Sequence, residues 1–324
     1  MVVKKNVLIT GGAGFIGLSI AKYLSERNNK IHIFDNLSRG KLDKDFKILL
    51  KKKNVFFYKI NLNSKIKIKL KNISHIFHLA GSVGVKNINK DAYGSFFNNV
   101  TSLKNIIDMF KKTKKKIKII LFSTSEVYSP IIEEKKVKFP IKENNNVLIK
   151  NNIIKRDAYF LSKIFNEKII QLSNINYLIL RPHNIYGPRM GFSHVIPELI
   201  KKMSKTRKGK RNKISVFSPN HKRAFCFIDD AVDQIIKLSF NNRINNEIFN
   251  IGNMSEEISM INLAKKIREF FTHKIHLKNG KITKGSPKRR IPNMKKTFKF
   301  VKNQKLTNLN LGLLKTFKWY QKKI

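Results

Sequence analysis

Tyr159 and Lys163 stand four residues apart in Ala158-Tyr159-Phe160-Leu161-Ser162-Lys163, and that spacing puts both side chains on one face of a helix. A phenol with a pKa of about 10 is a poor base at neutral pH. An ammonium one turn away stabilises the phenolate and draws it toward a working range. Taken alone, the pair reads as a surface tyrosine beside a solvated lysine. A second group lies upstream, where Ser123-Thr124-Ser125-Glu126-Val127-Tyr128 follows the apolar run Lys118-Ile119-Ile120-Leu121-Phe122. Strand C-termini are where open α/β sheets place their sites. There the Thr124 hydroxyl can share a hydrogen bond with a reacting alcohol and complete a Thr-Tyr-Lys proton relay. Glu126 adds a carboxylate that simple alcohol oxidation does not need. The competing reading of Ser123 to Ser125 is ordinary strand-end capping.

The reaction partner of such a relay is indicated at the other end of the chain. Val7-Leu8-Ile9-Thr10 reads as a buried strand, and Gly11, Gly14 and Gly17 follow it at G-x-x-G-x-x-G spacing. Such glycines give a tight turn, room for a diphosphate against bare backbone, and close helix-on-strand packing, with the anion held at the helix N-terminus. After the helix Ile16 to Arg27 comes a second strand, Ile31-His32-Ile33-Phe34, ending in Asp35. A carboxylate about 20 residues past the glycines accepts both hydroxyls of an adenosine ribose and repels a 2′-phosphate, which favours NAD over NADP. The positive charge of a bound nicotinamide then adds to that of Lys163 beside Tyr159.

Strand and helix patterns alternate through the first half, the mark of βαβ units. Val55 to Tyr58, His75 to Ala80 and Lys118 to Phe122 read as the third to fifth strands, and Phe96 to Phe110 carries apolar residues at helical spacing. A stretch rich in Glu, Lys and Asn from Glu133 to Lys155 lacks periodicity and reads as surface loop. The helix Ala158 to Leu172 and the strand Tyr177 to Arg181 follow. Beyond them the pattern is less regular, with short elements at Val195 to Met203, Ile214 to Phe217, Asp230 to Phe240, Ile258 to Phe271 and Leu311 to Tyr320. The expected fold is α/β, a Rossmann doubly wound parallel sheet with a smaller C-terminal substrate-binding lobe. The expected domains are residues 1–182 for NAD and 183–324 for the lobe, with about 224–252 returning to the Rossmann domain.

A chain of 324 residues is long enough for that arrangement. No signal peptide or membrane-crossing run is read from it, and no metal-ligand set. The single cysteine, Cys226, forbids an internal disulfide and favours a reducing, cytoplasmic setting. The charge is unusual: 68 Lys+Arg against 20 Asp+Glu give a formal +48. Lysine is spread over nearly every exposed segment and is accompanied by abundant Asn and Ile, which share A/T-rich codons. The excess therefore reads as compositional drift of surface positions, with nucleic acid bound only non-specifically. Such binding would concentrate at Lys51 to Lys53, Lys111 to Lys116 and Lys201 to Lys213, and would fall steeply with salt.

Together these motifs resemble the extended short-chain dehydrogenase/reductase family of nucleotide-sugar epimerases, dehydratases and decarboxylases. The resemblance runs through Thr10 to Gly17, Asp35-Asn36-Leu37, His78-Leu79-Ala80, Ser123 to Tyr128, Tyr159 with Lys163, Arg181 to Pro188, Arg223-Ala224-Phe225 and Arg290-Ile291-Pro292. It implies that Thr124, Tyr159 and Lys163 are catalytic, with Ser125 and Glu126 as the pair that sets the branch. It implies NAD contacts from Gly11, Gly14, Phe15, Ile16, Gly17, Asp35, Asn36, Asn61, Leu62, Leu79, Ala80, Asn99, Tyr159 and Lys163. It further implies that Asn184, Arg223 and Arg290 hold the diphosphate of a nucleoside-diphosphate sugar, and that backbone near Val195 and Ile196 reads its base. Family precedent is a homodimer through a four-helix bundle made by the helix bearing Tyr159 and the one before it. Three positions depart from the family pattern. Asn61 and Asn293 stand where an Asp is usual, and Gly81 follows His-Leu-Ala where alanine is usual. None of the three removes a catalytic group.

Family members begin alike, with Tyr159 taking the proton of the sugar C4 hydroxyl as hydride leaves C4. A 4-epimerase then needs only the Thr-Tyr-Lys set, a 4,6-dehydratase usually carries adjacent Asp-Glu, and a uronate decarboxylase usually carries Ser-Glu. Ser125-Glu126, Gly187-Pro188-Arg189-Met190 and Lys222-Arg223-Ala224-Phe225 resemble the decarboxylase branch, whereas Arg181-Pro182-His183-Asn184 is not typical of it. The expected function is therefore UDP-glucuronate-decarboxylase-like, with 4-epimerase or 4,6-dehydratase as the alternative. A remoter alternative is a non-catalytic NAD- or polyanion-binding protein, against which the joint presence of Thr124, Tyr159 and Lys163 argues.

Overall fold

The computed structural model describes all residues except 1–3, 112, 114, 115, 211, 284 and 303, and of residues 85 and 86 only the backbone. Part of two basic clusters, Lys112, Lys114, Lys115 and Arg211, therefore lies outside the described residues. The strands are β1 (Asn6–Thr10), β2 (Lys30–Asp35), β3 (Val55–Lys59), β4 (His75–His78), β5 (Lys118–Phe122), β6 (Asn176–Pro182), β7 (Ile185–Tyr186), β8 (Asn212–Val216), β9 (Lys222–Ala224), β10 (Cys226–Phe227), β11 (Glu247–Ile251), β12 (Glu257–Ser259), β13 (Ile275–Asn279) and β14 (Arg289–Arg290). The helices are α1 (Phe15–Ser25), α2 (Lys44–Leu50), α3 (Val85–Lys90), α4 (Ala92–Phe110), α5 (Ser129–Glu133), α6 (Asp157–Gln171), α7 (Val195–Ser204), α8 (Ile228–Ser239), α9 (Met260–Arg268), α10 (Lys295–Phe300) and α11 (Leu309–Gln321).

The chain divides into two compact units. The first comprises residues up to Pro130, Asn146–Pro182 and Val232–Phe249, and the second Ile131–Asn145, His183–Ala231 and Asn250–Ile324. The first unit carries a sheet of order β11-β6-β5-β4-β1-β2-β3, in which β3, β2, β1, β4, β5 and β6 pair parallel in turn. The order reverses between β1 and β4, the switch point at which doubly wound sheets bind ligands. The strands are apolar on both faces because helices cover both, and Val7, Leu8, Ile9, Ile119, Ile120 and Leu121 are fully buried. On one face Leu8, Ile76, Ile119, Leu121 and Ile179 pack with Leu103, Ile106, Ile107 and Phe110 of α4 and Ile170 of α6. Two residues further along each strand the same face turns polar, at Thr10, His78, Ser123 and Arg181. This buried polar layer lies at the C-terminal edge of the sheet, where the candidate site is built.

In the second unit β8 pairs parallel with β13, and β9 lies between β12 and β14. Arg223 of β9 is in register with Arg290 of β14.

Element bounds differ from the sequence reading where side chains cap or bury unexpectedly. Helix α4 starts at Ala92, four residues before the apolar period does, because Asp91 caps it by accepting from Gly94 N at 2.8 Å. Ile258 to Phe271 resolves into a strand and a helix, with Ser259 capping α9 through Asn262 N. The aperiodic stretch Glu133 to Lys155 is not all surface. Ile141 is fully buried and exchanges backbone hydrogen bonds with Ile291 and Asn293, and Glu143 accepts from Asn250 N.

Candidate active site

Three successive residues at the end of β5 are gripped by three residues of α6. Lys163 Nζ donates to the Phe122 carbonyl at 2.9 Å, Ser123 Oγ donates to Glu167 Oε1 at 2.5 Å, and the Thr124 hydroxyl hydrogen-bonds the Tyr159 phenol. Tyr159, Lys163 and Glu167 follow one another at four-residue steps, so one stripe of α6 faces the strand end. Thr124 also accepts from Glu126 N at 3.2 Å and so starts the short helical turn Ser125–Tyr128, on which Ser125 is buried and Glu126 half-exposed. The capping role and the relay role of Thr124 thus coexist in one residue.

The electrostatics differ from the sequence expectation. Burial, and then the Glu126 carboxylate, push the Tyr159 phenol up, while the Thr124 hydrogen bond and Arg39 work against them. The Lys163 ammonium is turned into the Phe122 carbonyl and lies over the Tyr159 ring, 6.0 Å from its centre. Its own pKa falls to about 8 through burial, with Glu167 acting in the opposite direction. Arg39, in the turn after Asp35, is a cation near Tyr159 that the sequence reading missed; its one signal was a basic residue just before Gly40 in that turn.

The nucleotide end is built from backbone. Gly11 has φ +71°, and a Cβ there would lie 2.9 Å from Ala80 N, so the turn and the close approach of β1 to the Leu79-Ala80 backbone both require glycine. A Cβ at Gly17 would overlap the Gly11 carbonyl. Phe15 and Ile16 open α1, Gly14 precedes them in extended conformation, and no acidic residue stands in the first turn, so the helix dipole there favours an anion. Asp35 is buried at the end of β2, with Oδ2 accepting from Ala13 N at 3.0 Å and Oδ1 from Leu37 N at 2.8 Å. These residues fit NAD, and the fixed negative charge disfavours a 2′-phosphate.

Other expected contact residues also hold local structure. Asn99 Oδ1 accepts from Ser82 N at 2.5 Å, and its Nδ2 donates to Ser162 Oγ at 2.9 Å, which ties α4 to α6 and to the loop after β4. A Cβ at Gly81 would sit 2.8 Å from that Asn99 oxygen, so an alanine there would have to displace the amide. Asn36 and Asn61 are exposed and cap their own turns, through Ser38 N and Asn63 N, while Leu62 belongs to the core. Asn293 likewise accepts from Lys295 N. A turn cap needs only a carbonyl-type oxygen, so Asn serves where Asp is usual.

The second unit brings together Asn184, Arg223 and Arg290. Asn184 has φ +42° and donates its amide to Ala224 O at 2.9 Å. Arg223 is buried and donates to Ser286 Oγ and Pro287 O at 2.9 and 2.7 Å, and Arg290 is equally buried on the adjacent strand. Val195 and Ile196 open α7. The sequence reading missed the Glu167–Arg181 pair altogether. Arg181 binds Glu167 through Nε and Nη2 at 2.9 and 2.7 Å and the Tyr128 hydroxyl through Nη1 at 2.8 Å, all of it buried. A Glu four residues after Lys163 was the available signal.

Residues 7–252 match the model of the NAD dependent epimerase/dehydratase family. The chain belongs to that family. It is accordingly an NAD-dependent enzyme. It is 30% identical over 279 residues to UDP-N-acetyl-alpha-D-glucosaminuronate decarboxylase of Bacillus cytotoxicus, covering 83% of this chain and 81% of the relative. It is 31% identical over 279 residues to dTDP-D-glucose 4,6-dehydratase of Dictyostelium discoideum, covering 81% of this chain and 61% of that protein. Among solved structures, UDP-N-acetylglucosamine 4-epimerase from Methanobrevibacter ruminantium M1, in complex with UDP-N-acetylmuramic acid, superposes with a TM-score of 0.82 at 24% identity, covering 99% of both chains. Among the described residues no helix is long and apolar enough to cross a membrane, and no group of His, Cys, Asp and Glu is arranged to hold a metal ion.

Proposed function

We propose that this enzyme decarboxylates a UDP-hexuronate such as UDP-glucuronate through a 4-keto intermediate. The observation that carries the reading is the placement of Ser125-Glu126 on the turn that Thr124 caps, with the Glu126 charge felt at the Tyr159 phenol. NAD, when bound, supplies the acceptor for the C4 hydride and its later return. Tyr159 reacts from its phenolate form, which the Thr124 hydrogen bond and Arg39 favour: Oη takes the proton of the C4 hydroxyl and becomes the neutral phenol as hydride leaves C4. A ketone at C4 is β to the C6 carboxylate and is its own electron sink, so loss of CO2 asks the protein only for orientation and a proton at C5. Ser125 and Glu126 are assigned to those tasks. A 4,6-dehydratase usually has a second carboxylate where Ser125 stands. Within Arg181-Pro182-His183-Asn184, the segment untypical of decarboxylases, His183 is fully buried with Nε2 3.1 Å from Asn250 Oδ1.

Asn184, Arg223 and Arg290 are assigned to the diphosphate and the start of α7 to the base. Residues Gly11, Gly14, Gly17 and Asp35 are assigned to NAD. The 183–324 region is read mainly as the substrate-binding part and 1–182 mainly as the NAD-binding part. A homodimer through α4 and α6 is supported by Tyr93, Phe97 and Phe165, large aromatic residues 77%, 47% and 46% exposed on those two helices. Light scattering of Phe97→Asp beside the unaltered chain tests it, a dimer becoming a monomer. The lone buried Cys226 supports a cytoplasmic setting.

The deciding experiment is a mass-spectrometric screen with NAD against UDP-glucuronate, UDP-N-acetylglucosaminuronate, UDP-glucose, UDP-N-acetylglucosamine, dTDP-glucose and GDP-mannose. Loss of CO2 from a uronate is the expected result. Loss of water from a hexose, or a new isomer at unchanged mass on chromatography, replaces decarboxylation by dehydration or epimerisation.

A further inference from the structure

Glu167 touches none of the groups assigned above to substrate or NAD, yet it is the centre of the buried polar layer beneath them. Its Oε1 accepts from Ser123 Oγ at 2.5 Å and from Arg181 Nε at 2.9 Å, and its Oε2 accepts from Arg181 Nη2 at 2.7 Å. Both side chains of the ion pair are at most 4% exposed. Removing one partner of such a pair strands a buried charge, and replacing both by apolar groups serves packing equally well, so fold stability alone does not explain why the ionic version is kept. The reach of the carboxylate is informative. Ser123 is the residue between Phe122, whose carbonyl holds Lys163, and Thr124, whose hydroxyl holds Tyr159. Arg181 extends the grip from β6 to the Tyr128 hydroxyl, at the far end of the turn that carries Ser125 and Glu126.

We propose that Glu167 is a positioning residue for the reaction: the Ser123–Glu167–Arg181 clamp fixes the end of β5 so that Thr124, Tyr159 and Lys163 stay in register. The proposal rests on the roles assigned to those three residues. Lys163 supplies a reporter. The charged or titratable groups that face it are Glu167 and Tyr159 from its own helix and His78 from β4, with Arg181 of β6 behind Glu167. His78 is neutral, held down to about 3 by burial and by Lys163 itself, and the Tyr159 phenol is pushed up. Glu167 is therefore the one negative charge in that set, and it supports the protonated form of Lys163.

The test uses the full chain with NAD and whichever nucleotide sugar it turns over. Glu167→Gln is expected to lower kcat by about tenfold to a hundredfold with KM within about twofold, because the substrate contacts are untouched while the reacting groups are misplaced. In proton–carbon spectra of lysine-labelled protein, the Lys163 signal, identified by its loss in Lys163→Met, is expected to titrate at lower pH in Glu167→Gln. Ser123→Ala keeps the ion pair and cuts the clamp from the strand; it is expected to lower kcat without moving the Lys163 titration, and it decides the matter if Glu167→Gln does not fold. An unchanged kcat in Ser123→Ala overturns the proposal. So does a loss in Glu167→Gln that disappears at lower temperature with the Lys163 titration unmoved, the mark of a purely structural pair. If the unaltered chain turns over no nucleotide sugar, the functional reading fails on its own, and the Lys163 titration still decides whether the clamp acts on that residue.

Discussion

Lys163 gives its ammonium to the Phe122 carbonyl at 2.9 Å and leaves Tyr159 to Thr124. Burial pushes the phenol up, so the protein's own groups hold Tyr159 protonated at neutral pH. The reaction therefore draws on the phenolate form, which must lose its own proton before it can take that of a substrate alcohol. Tyr159→Phe is expected to lower kcat by about 10²- to 10⁴-fold, and Thr124→Ala by less, since it removes an orienting bond and not the base. Lys163→Met is expected to match Tyr159→Phe in direction. Stopped-flow absorbance at the reduced-nicotinamide band, with circular dichroism as the control for folding, checks all three.

Gly11 allows a test of the nucleotide end that needs no substrate. An alanine there would combine a left-handed backbone with a Cβ 2.9 Å from Ala80 N. Gly11→Ala is expected to destabilise the protein by about 1–3 kcal/mol and to weaken NAD binding in parallel. Thermal denaturation with and without NAD reads both effects, the variant showing a lower Tm and a smaller rise on adding the cofactor.

Arg223 and Arg290 occupy paired positions on adjacent strands, both buried, and two such cations together favour an anion between or beside them. Arg223→Lys keeps the charge and loses the planar fork. Affinity for UDP is expected to fall by about tenfold, with a smaller stabilisation of Tm by UDP. Isothermal titration measures the first and a thermal shift the second; affinity equal to that of the unaltered chain would remove Arg223 from the diphosphate site.

How far the sequence reveals these sites varies with the physical origin of each. The parallel sheet was legible because its strands are buried on both faces, as in Val7-Leu8-Ile9, and because Gly11 and Asp35 punctuate them at fixed spacing. The grouping of Thr124 and Tyr159 was legible only from the place of Thr124 at a strand end and from motif resemblance, as no local pattern brings residues 35 positions apart together. The direction of the Lys163 side chain was not legible, since the helical spacing sets the face and leaves open which of two nearby acceptors the ammonium takes. Nor was the Glu167–Arg181 pair, because two charges in a sequence with 68 basic residues carry no mark of burial. Strand β11 escaped notice for a related reason: Glu247-Ile248-Phe249-Asn250-Ile251 is short and polar at two of five positions, and only its place beside β6 makes it a strand.

Three histidines make acid the vulnerable side of the stability curve. His32, His75 and His78 are buried, and burial lowers their pKa values to about 4, 3 and 3. Each folded value lies below the unfolded one of 6.5, so between the two the unfolded chain binds the extra proton. Stability is then present above pH 6.5 and is lost as pH falls toward 3, at up to about 1.4 kcal/mol per pH unit for each histidine. Urea midpoints at pH 7 and pH 5 are expected to differ markedly, and His75→Asn or His78→Asn to reduce the difference; a flat profile would show that these rings gain protons without unfolding the chain.

Glu126 separates the proposed oxidation at C4 from the later steps. Its carboxylate raises the Tyr159 phenol, second only to burial, so Glu126→Gln is expected to lower the phenol pKa and move the alkaline limb of hydride removal to lower pH. The sign is fixed by the charge: a neutral amide no longer opposes the phenolate. Oxidation at C4 should therefore survive in Glu126→Gln, while the later proton transfer at C5 slows by about 10²-fold or more. A decarboxylase so altered, given UDP-glucuronate, accumulates reduced nicotinamide and a 4-keto sugar, seen together as absorbance and a mass lower by two hydrogens and, once CO2 has left, by CO2 as well. An epimerase needs no carboxylate after oxidation and would turn over unimpeded. The same variant thus distinguishes the proposed reaction from its nearest alternative in a single reaction time course.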